Sequence, residues 1–286
     1  MKSNAQSGLL YIVATPIGNF ADLSIRQQEV LQDVDVVLCE RPQHSRRLFT
    51  HANIQPKRIA KLTDHDKAAA LVPWLTLLGQ GQSIACISDA GTPMISDPGV
   101  LLVQMAHKAG VRVVPIPGPS AVSAAVSISG FAVNGYSFYG FLPAKKQARV
   151  QMYTRVGDSL QASVFFESPH RLAASLADLE AALGPDQVLL LHKEISKIYE
   201  RYWIGTVADV RAALDSSLIK GEFVLVLAPN GQSKPQAPAA LDPSAVLTLF
   251  KDDGIRLQQA VSLAHKLTGY GKNSLYKMAL SIYANT

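Results

Sequence analysis

Cysteine is nearly missing from this chain of 286 residues. Cys39 and Cys86 are its two thiols, too far apart for Cys-x-x-Cys and without a third, which excludes a disulfide scaffold and a thiolate metal centre. Both read as buried and reduced, and no metal is expected. Long apolar runs are missing as well. Leu9–Ala14 and the Ala/Ser-diluted Ala121–Val133 fall short of the ~18 residues that cross a bilayer, and the first is too short for a signal-peptide core. The expected location is therefore cytoplasmic, with no membrane partner. Neither Gly-x-x-x-x-Gly-Lys nor Gly-x-Gly-x-x-Gly occurs, which removes P-loop ATPases and ordinary NAD enzymes. No Gly-x-Ser-x-Gly elbow suggests a hydrolase. The 27 basic residues, giving a net charge of +5, form no block, so charge permits an anionic partner without demanding one.

What is present is the composition of a folded chain, 48% hydrophobic and 17% charged, enough for one large core or two medium ones. Short β-rich runs alternate with helical patterns from Leu9 to Ile116, which predicts a largely parallel sheet covered by helices. Pro115-Ile116-Pro117-Gly118-Pro119 then stops the pattern, because proline fixes φ and lacks an amide donor. A small-residue helix is expected over Ser120–Gly130. A second α/β region comes next, with antiparallel pairing among its last consecutive strands. The proline-rich stretch Pro229–Pro243 reads as a linker. Two helices should close the chain, joined at Thr268-Gly269-Tyr270-Gly271 as in a helix-turn-helix. The boundaries so read are an N-terminal α/β domain 1–117, a second α/β domain 118–230, a linker 231–242 and a helical tail 243–286.

The most informative segment is Ser88-Asp89-Ala90-Gly91-Thr92-Pro93-Met94-Ile95-Ser96-Asp97-Pro98-Gly99, between a strand and a helix. It is about twice the usual ~2–6 residues of such a connection, and long connections of this kind tend to be functional. Asp97 and Pro98 read as the cap and first residue of the next helix. Asp89–Pro93 has no such role and lies at the carboxyl end of a strand, where open α/β sheets bind ligands. Thr15-Pro16-Ile17-Gly18-Asn19 and Glu40-Arg41-Pro42-Gln43-His44-Ser45 come after two further strands at the same edge. Thr63-Asp64-His65-Asp66 is better explained by helix capping through Asp64 or Asp66 than as a metal cluster. In the second region, Glu167-Ser168-Pro169-His170-Arg171, Lys193-Glu194-Ile195-Ser196-Lys197 and Lys220-Gly221-Glu222 place charges at strand ends.

Together with Pro117-Gly118-Pro119-Ser120 and Gly140-Phe141-Leu142-Pro143, these motifs resemble, in order, the RsmI family. Its members are ribosomal small-subunit methyltransferases of the tetrapyrrole-methylase superfamily. The resemblance implies two α/β domains with a cofactor cleft between them and 2′-O-ribose methylation of a cytidine in the decoding region of 16S rRNA, using S-adenosyl-L-methionine. It also implies a homodimer acting on 16S rRNA or the 30S subunit. By that likeness Pro16, Asp89, Ala90, Gly91, Pro93, Ser120, Ala121, Phe141 and Leu142 should line the cofactor pocket. Candidates for sharing the hydroxyl proton or favouring the alkoxide are Glu40, His44, Lys193 and Glu194. Candidate RNA contacts are Arg46, Arg47, Lys145, Lys146, Arg171, Lys220, Lys272 and Lys277. The chain departs from the family pattern at Glu40–Ser45, where Glu-Asp-Thr-Arg-His-Thr is usual, and at Thr63–Lys67. Two alternatives stand beside this reading: a tetrapyrrole methyltransferase, and a catalytically impaired cofactor-binding homologue.

Overall fold

The computed structural model describes residues 8–229 and 242–284. The expected linker 231–242 lies, apart from its last residue, outside the described residues. The chain divides into two compact units between Gly231 and Gln232, and the first holds both sheets.

The first sheet is built by β1 (Leu9–Val13), α1 (Ile25–Asp33), β2 (Val36–Cys39), α2 (Pro42–His51), β3 (Ile59–Lys61), α3 (Ala68–Gly79), β4 (Ile84–Ile87), α4 (Val100–Lys108) and β5 (Arg112–Ile116). All five strands are parallel, in the order β3-β2-β4-β1-β5. The central strands β2 and β4 are buried at every residue, as a sheet covered on both faces requires. Successive side chains feed opposite faces. Val37, Cys39, Ala85 and Ile87 pack with Leu31, Leu48 and Phe49 of α1 and α2. Val36, Leu38, Ile84 and Cys86 pack with Leu71, Leu78, Leu102 and Ala106 of α3 and α4. The helix α1 starts on a capping box between Ser24 and Gln27. Pro115 is tolerated because β5 is an edge strand.

The second sheet lies beyond α5 (Ala121–Ser129). It comprises β6 (Tyr136–Phe141), α6 (Lys146–Gly157), β7 (Ala162–Glu167), α7 (Pro169–Leu183), β8 (Val188–Lys193), β9 (Arg201–Thr206), α8 (Val207–Ala213) and β10 (Phe223–Leu227). The order is β6-β7-β10-β8-β9, with β6 and β7 parallel and the other pairs antiparallel, as the run of late strands predicts. Phe165, Leu189, Leu191, Phe223 and Leu225 face α6, α7 and α8. Val164, Leu190, Val224 and Val226 face the small-residue helix α5. Arg149, one of the basic residues near Lys145, is no surface charge. It is 4% exposed, donates Nε to Asp178 at 2.9 Å, and Nη1 reaches the Pro143 and Ala144 carbonyls.

The second unit corrects the expectation of two closing helices. Among the described residues three are present: α9 (Pro243–Asp252), α10 (Leu257–Thr268) and α11 (Lys272–Ala284), packed around Leu247, Ala260, Ala264, Leu275 and Ala279. Pro243 reads as the end of the proline-rich linker, yet at the first helical position proline starts a helix, and Asp242 caps it by accepting from Ser244 and Ala245 N–H. Among the described residues no helix is long and apolar enough to cross a membrane.

Candidate functional site

The order in which strands are added to the first sheet reverses between β1 and β4. After β1 the chain moves past β4 to β2, while after β4 it returns past β1 to β5, so the two strand-end loops diverge to opposite faces. The crevice outside such a switch point is where open α/β sheets bind ligands. Here the loops are pinned across it. Thr15 and Gly91 exchange both backbone hydrogen bonds, at 2.8 and 3.0 Å, and the Thr15 hydroxyl donates to the Ser88 carbonyl at 3.2 Å. Ser88 Oγ donates to the Gly91 carbonyl at 2.8 Å, and Thr92 Oγ1 to the Pro119 carbonyl at 3.3 Å. The fully buried Gln27 side chain donates to the Ala14 and Pro117 carbonyls, tying the β1 loop to the connector before α5.

The result is a cavity of about 610 Å³, within the size range of small-molecule sites. One wall is the first sheet's edge: Pro16, Glu40, His44, Asp89, Ala90, Gly91 and Asp97. The opposite wall is Ser120 and Ala121 at the start of α5, with Phe141, Phe166, Ile195, Lys197 and Glu222 from the second sheet. Of the nine expected cofactor residues, only Pro93 and Leu142 do not line it. Leu142 is 1% exposed in the core on the far face of the second sheet, because adjacent residues at the end of β6 alternate sides.

The expected cap at Asp97 is a correction. The helix α4 begins at Val100, its N-cap is Gly99, and no side chain caps it. Gly99 holds φ +123°, a region L side chains rarely adopt, and a Cβ there would lie 2.4 Å from Met94 Cε. The turn is therefore made by Gly99, and Asp97 is left to the cavity. Met94 and Ser96 beside it also hold positive φ, at 66° and 71°, a strain that clusters at functional loops. Burial, then the charges of Glu40, Asp89 and Asp64, push the Asp97 carboxyl up to about 7. Sequence reasoning passes over Asp97; the one signal for it is the repeated Ser-Asp dipeptide, at Ser88-Asp89 and Ser96-Asp97. The expected caps at Asp64 and Asp66 are likewise absent. Lys67 is the uncapped N-cap of α3, and Asp66 instead accepts from Thr63 N–H at 2.7 Å.

The remaining charges are unevenly placed. Arg41 Nε pairs with Asp89 Oδ2, while Asp89 Oδ1 is buried without a hydrogen-bond partner among the described residues. Glu194 and Glu222 both grip Lys197 at 2.9 Å. Burial alone would raise Glu194, but the Lys197 contact and the Glu222 N–H outweigh it and hold the carboxyl below its ordinary value. Gly221, at φ +88°, leaves room for that carboxylate, which would lie 2.4 Å from a Cβ. Glu194 does not line the cavity. Neither does Lys193, which is 6% exposed and continues the strand alternation of Leu189 and Leu191, toward α6–α8. Glu40 and His44 do line it.

Among the expected RNA contacts, Arg47 lines the cavity and Arg46 is exposed beside it on α2. Lys145, Lys146 and Lys220 are exposed in the first unit, Lys272 and Lys277 in the second. Arg171 is committed to the buried Glu167 at 2.7 Å. Among the described residues no group of three or more His, Cys, Asp or Glu could hold a metal ion.

The sequence signature of the Tetrapyrrole (Corrin/Porphyrin) Methylases matches residues 9–211. The chain is 39% identical to the ribosomal RNA small subunit methyltransferase I of Xylella fastidiosa over 94% of its own length and 98% of that protein's. It is 39% identical to the protein of that name in Escherichia coli O157:H7, covering 96% and 95%. Among solved structures, the uroporphyrin-III C-methyltransferase of Thermus thermophilus complexed with S-adenosylhomocysteine superposes with a TM-score of 0.53. It shares 18% identity and covers 79% of this chain and all of that one. The methyltransferase CobJ gives 0.57 at 14% identity over 78% and 95%.

Proposed function

This chain belongs to the tetrapyrrole methylase family, among its ribosomal RNA small subunit methyltransferase I members, and on that premise we propose that it methylates small-subunit rRNA from S-adenosyl-L-methionine. The finer reading is transfer to the 2′-oxygen of a cytidine ribose in the decoding region of 16S rRNA, in the cytoplasm. The observation that carries the methyl-transfer reading is the cavity at the switch point, walled by seven of the nine residues that the family likeness assigns to the cofactor.

Those residues suit the group. Ala90, Gly91, Ser120 and Ala121 let backbone approach an adenosine or amino-acid moiety closely, and Phe141 and Phe166, 5.4 Å apart, offer aromatic surface. The unpartnered Asp89 Oδ1 is an acceptor waiting for a ligand donor. Glu40, Asp89 and Asp97 together favour a cationic sulfonium. When bound, S-adenosyl-L-methionine supplies a methyl group on sulfur. In the transfer the carbon–sulfur bond breaks as the ribose-oxygen–carbon bond forms, leaving S-adenosylhomocysteine, and the hydroxyl proton passes to an acceptor. Alignment provides most of the rate in such a displacement. Asp97 is the proton acceptor we favour, since a carboxyl titrating near 7 is matched to working pH. Glu40 and His44 share its wall.

A homodimer is part of the proposal. Tyr202 and Ile204 on the edge strand β9 are 59% and 51% exposed, and Ile198 beside them 94%, an apolar edge suited to a second copy. The domain boundary at 117/118 is proposed as the division between the two sheet-bearing halves.

The test is transfer of label from S-adenosyl-L-methionine to 30S particles from a strain lacking the modification. We expect one 2′-O-methylcytidine by mass spectrometry of the digested RNA. Cofactor binding without label on RNA would overturn the reading and favour the tetrapyrrole or impaired alternative.

A further inference from the structure

A second cavity, of about 420 Å³, opens beside the first and shares Glu40, Arg41, His44 and Arg47 with it. The other lining residues are Pro42, Gln43 and Lys61. The two cavities differ in charge balance. In the first, the carboxylates of Glu40, Asp89, Asp97, Glu167 and Glu222 outnumber Arg41, Arg47 and Lys197, whereas in the second Arg41, Arg47, Lys61 and the His44 imidazole face the single carboxylate of Glu40. The basic groups come from separate elements: Arg41 from the end of β2, His44 and Arg47 from α2, Lys61 from the end of the edge strand β3.

Nothing within the described residues consumes most of this charge. The side chains of His44, Arg47 and Lys61 are exposed and have no hydrogen-bond or ion-pair partner among the described residues. Arg41 is held at one point only. Its Nε pairs with Asp89 while the side chain stays 66% exposed, so the Nη pair is available to a second oxyanion. A guanidinium anchored through Nε is oriented in advance, and its fork fits phosphate oxygens. The segment Arg41-Pro42-Gln43 is also where this chain departs from the pattern of the family it resembles.

We propose that this side cavity seats an RNA phosphodiester next to the target nucleotide, with Arg41, Arg47 and Lys61 as its phosphate contacts. The inference rests on the RNA-methylation reading. A nucleotide at the first cavity presents an uncharged ribose and base flanked by anionic phosphates, the same change of character that the two adjoining cavities complement. RNA accordingly enters over the β2 and β3 edge of the first sheet.

Binding of a labelled small-subunit rRNA fragment, measured without S-adenosyl-L-methionine at several salt concentrations, tests it. Each phosphate contact contributes a slope of about 0.7–0.9 in log Kd against log salt. Lys61→Ala and Arg47→Ala should each lower that slope by about this amount and weaken binding about three- to tenfold at low salt. Lys61→Arg should restore both, and Lys108→Ala, at the end of α4, should change neither. Unaltered S-adenosyl-L-methionine affinity in Lys61→Ala would show that the variant is folded. Wild-type affinity and slope in the Lys61→Ala/Arg47→Ala double variant would overturn the proposal. So would inorganic phosphate binding that Lys61→Ala abolishes while RNA affinity and slope stay at wild-type values, which would make the cavity a free-phosphate site. Wild-type protein that binds RNA through these residues yet leaves no methyl group on it would sink the proposed reaction and keep the site.

Discussion

Replacing Asp97 by Asn separates stability from activity at one atom. In the folded chain the carboxyl titrates at about 7 instead of 3.8, through burial and the charges of Glu40, Asp89 and Asp64, with Arg41 engaged on Asp89. Well below pH 3.8 the group is protonated folded and unfolded alike and costs nothing. As the pH rises toward 7 the unfolded chain ionises first, so stability is lost progressively, and above 7 the loss is constant. At about 1.4 kcal/mol per pH unit the full loss is bounded at about 4 kcal/mol. Asp97 is partly open to solvent, and screening reduces this to about 1–2 kcal/mol. Asp97→Asn has the same shape and no charge, so at pH 8 it should raise Tm by about 2–4 °C, and the gain should shrink steeply as the pH falls to 4. Calorimetry across pH 4–8 measures this directly. Single-turnover methylation should fall about 10²-fold or more, the usual worth of a positioned proton acceptor. In the wild type, kcat/KM should decline on the acid side of about pH 7. An equal Tm gain at pH 4 and pH 8 would refute the electrostatic argument, and full activity of Asp97→Asn would remove Asp97 as proton acceptor.

Arg149→Met leaves the buried Asp178 with only the long Lys146 contact at 3.8 Å, and chemical denaturation should register a loss of about 3–5 kcal/mol, whereas a loss below about 1 would mean that the pair is not buried in solution. Gly221→Ala forces an L residue to φ +88° and a Cβ against Glu194, so it should cost about 1–3 kcal/mol by the same measurement. Phe141→Ala should weaken S-adenosyl-L-methionine binding about tenfold in calorimetric titration while Tm moves little, because the ring is 56% exposed and packs edge-on against Phe166.

The alternation of apolar runs and helical patterns is enough to place the strands and to predict parallel order first and antiparallel order later, because buried strands and amphipathic helices have distinct local periods. The strand-end loops are legible for the same reason: once β1, β2 and β4 are parallel, Thr15–Asn19, Glu40–Ser45 and Ser88–Gly99 emerge at one edge. Which side chains of those loops reach the cavity is not legible. Asp97 looks like a helix cap by its neighbours Pro98 and Gly99, and only the φ of Gly99 moves the helix start to Val100. The third tail helix is hidden likewise, since a proline such as Pro243 can begin a helix or end a linker, and packing of Val246 and Leu247 against the other two helices decides for the helix.

Local sequence thus determined elements, their order and the edge at which ligand loops gather, since those depend on periodicity and turn chemistry along a few residues. Long-range packing decided the rest. Lys193 and Glu194 sit close in sequence to the cavity residue Ile195, yet strand alternation turns the first to the far core and Lys197 engages the second. Arg149 reads as a solvated charge and is a buried clamp on Asp178, 29 residues away. The proton affinity of Asp97 is set first by its burial and then by Glu40, Asp89 and Asp64 from three different strand ends, surroundings that only the folded sheet creates.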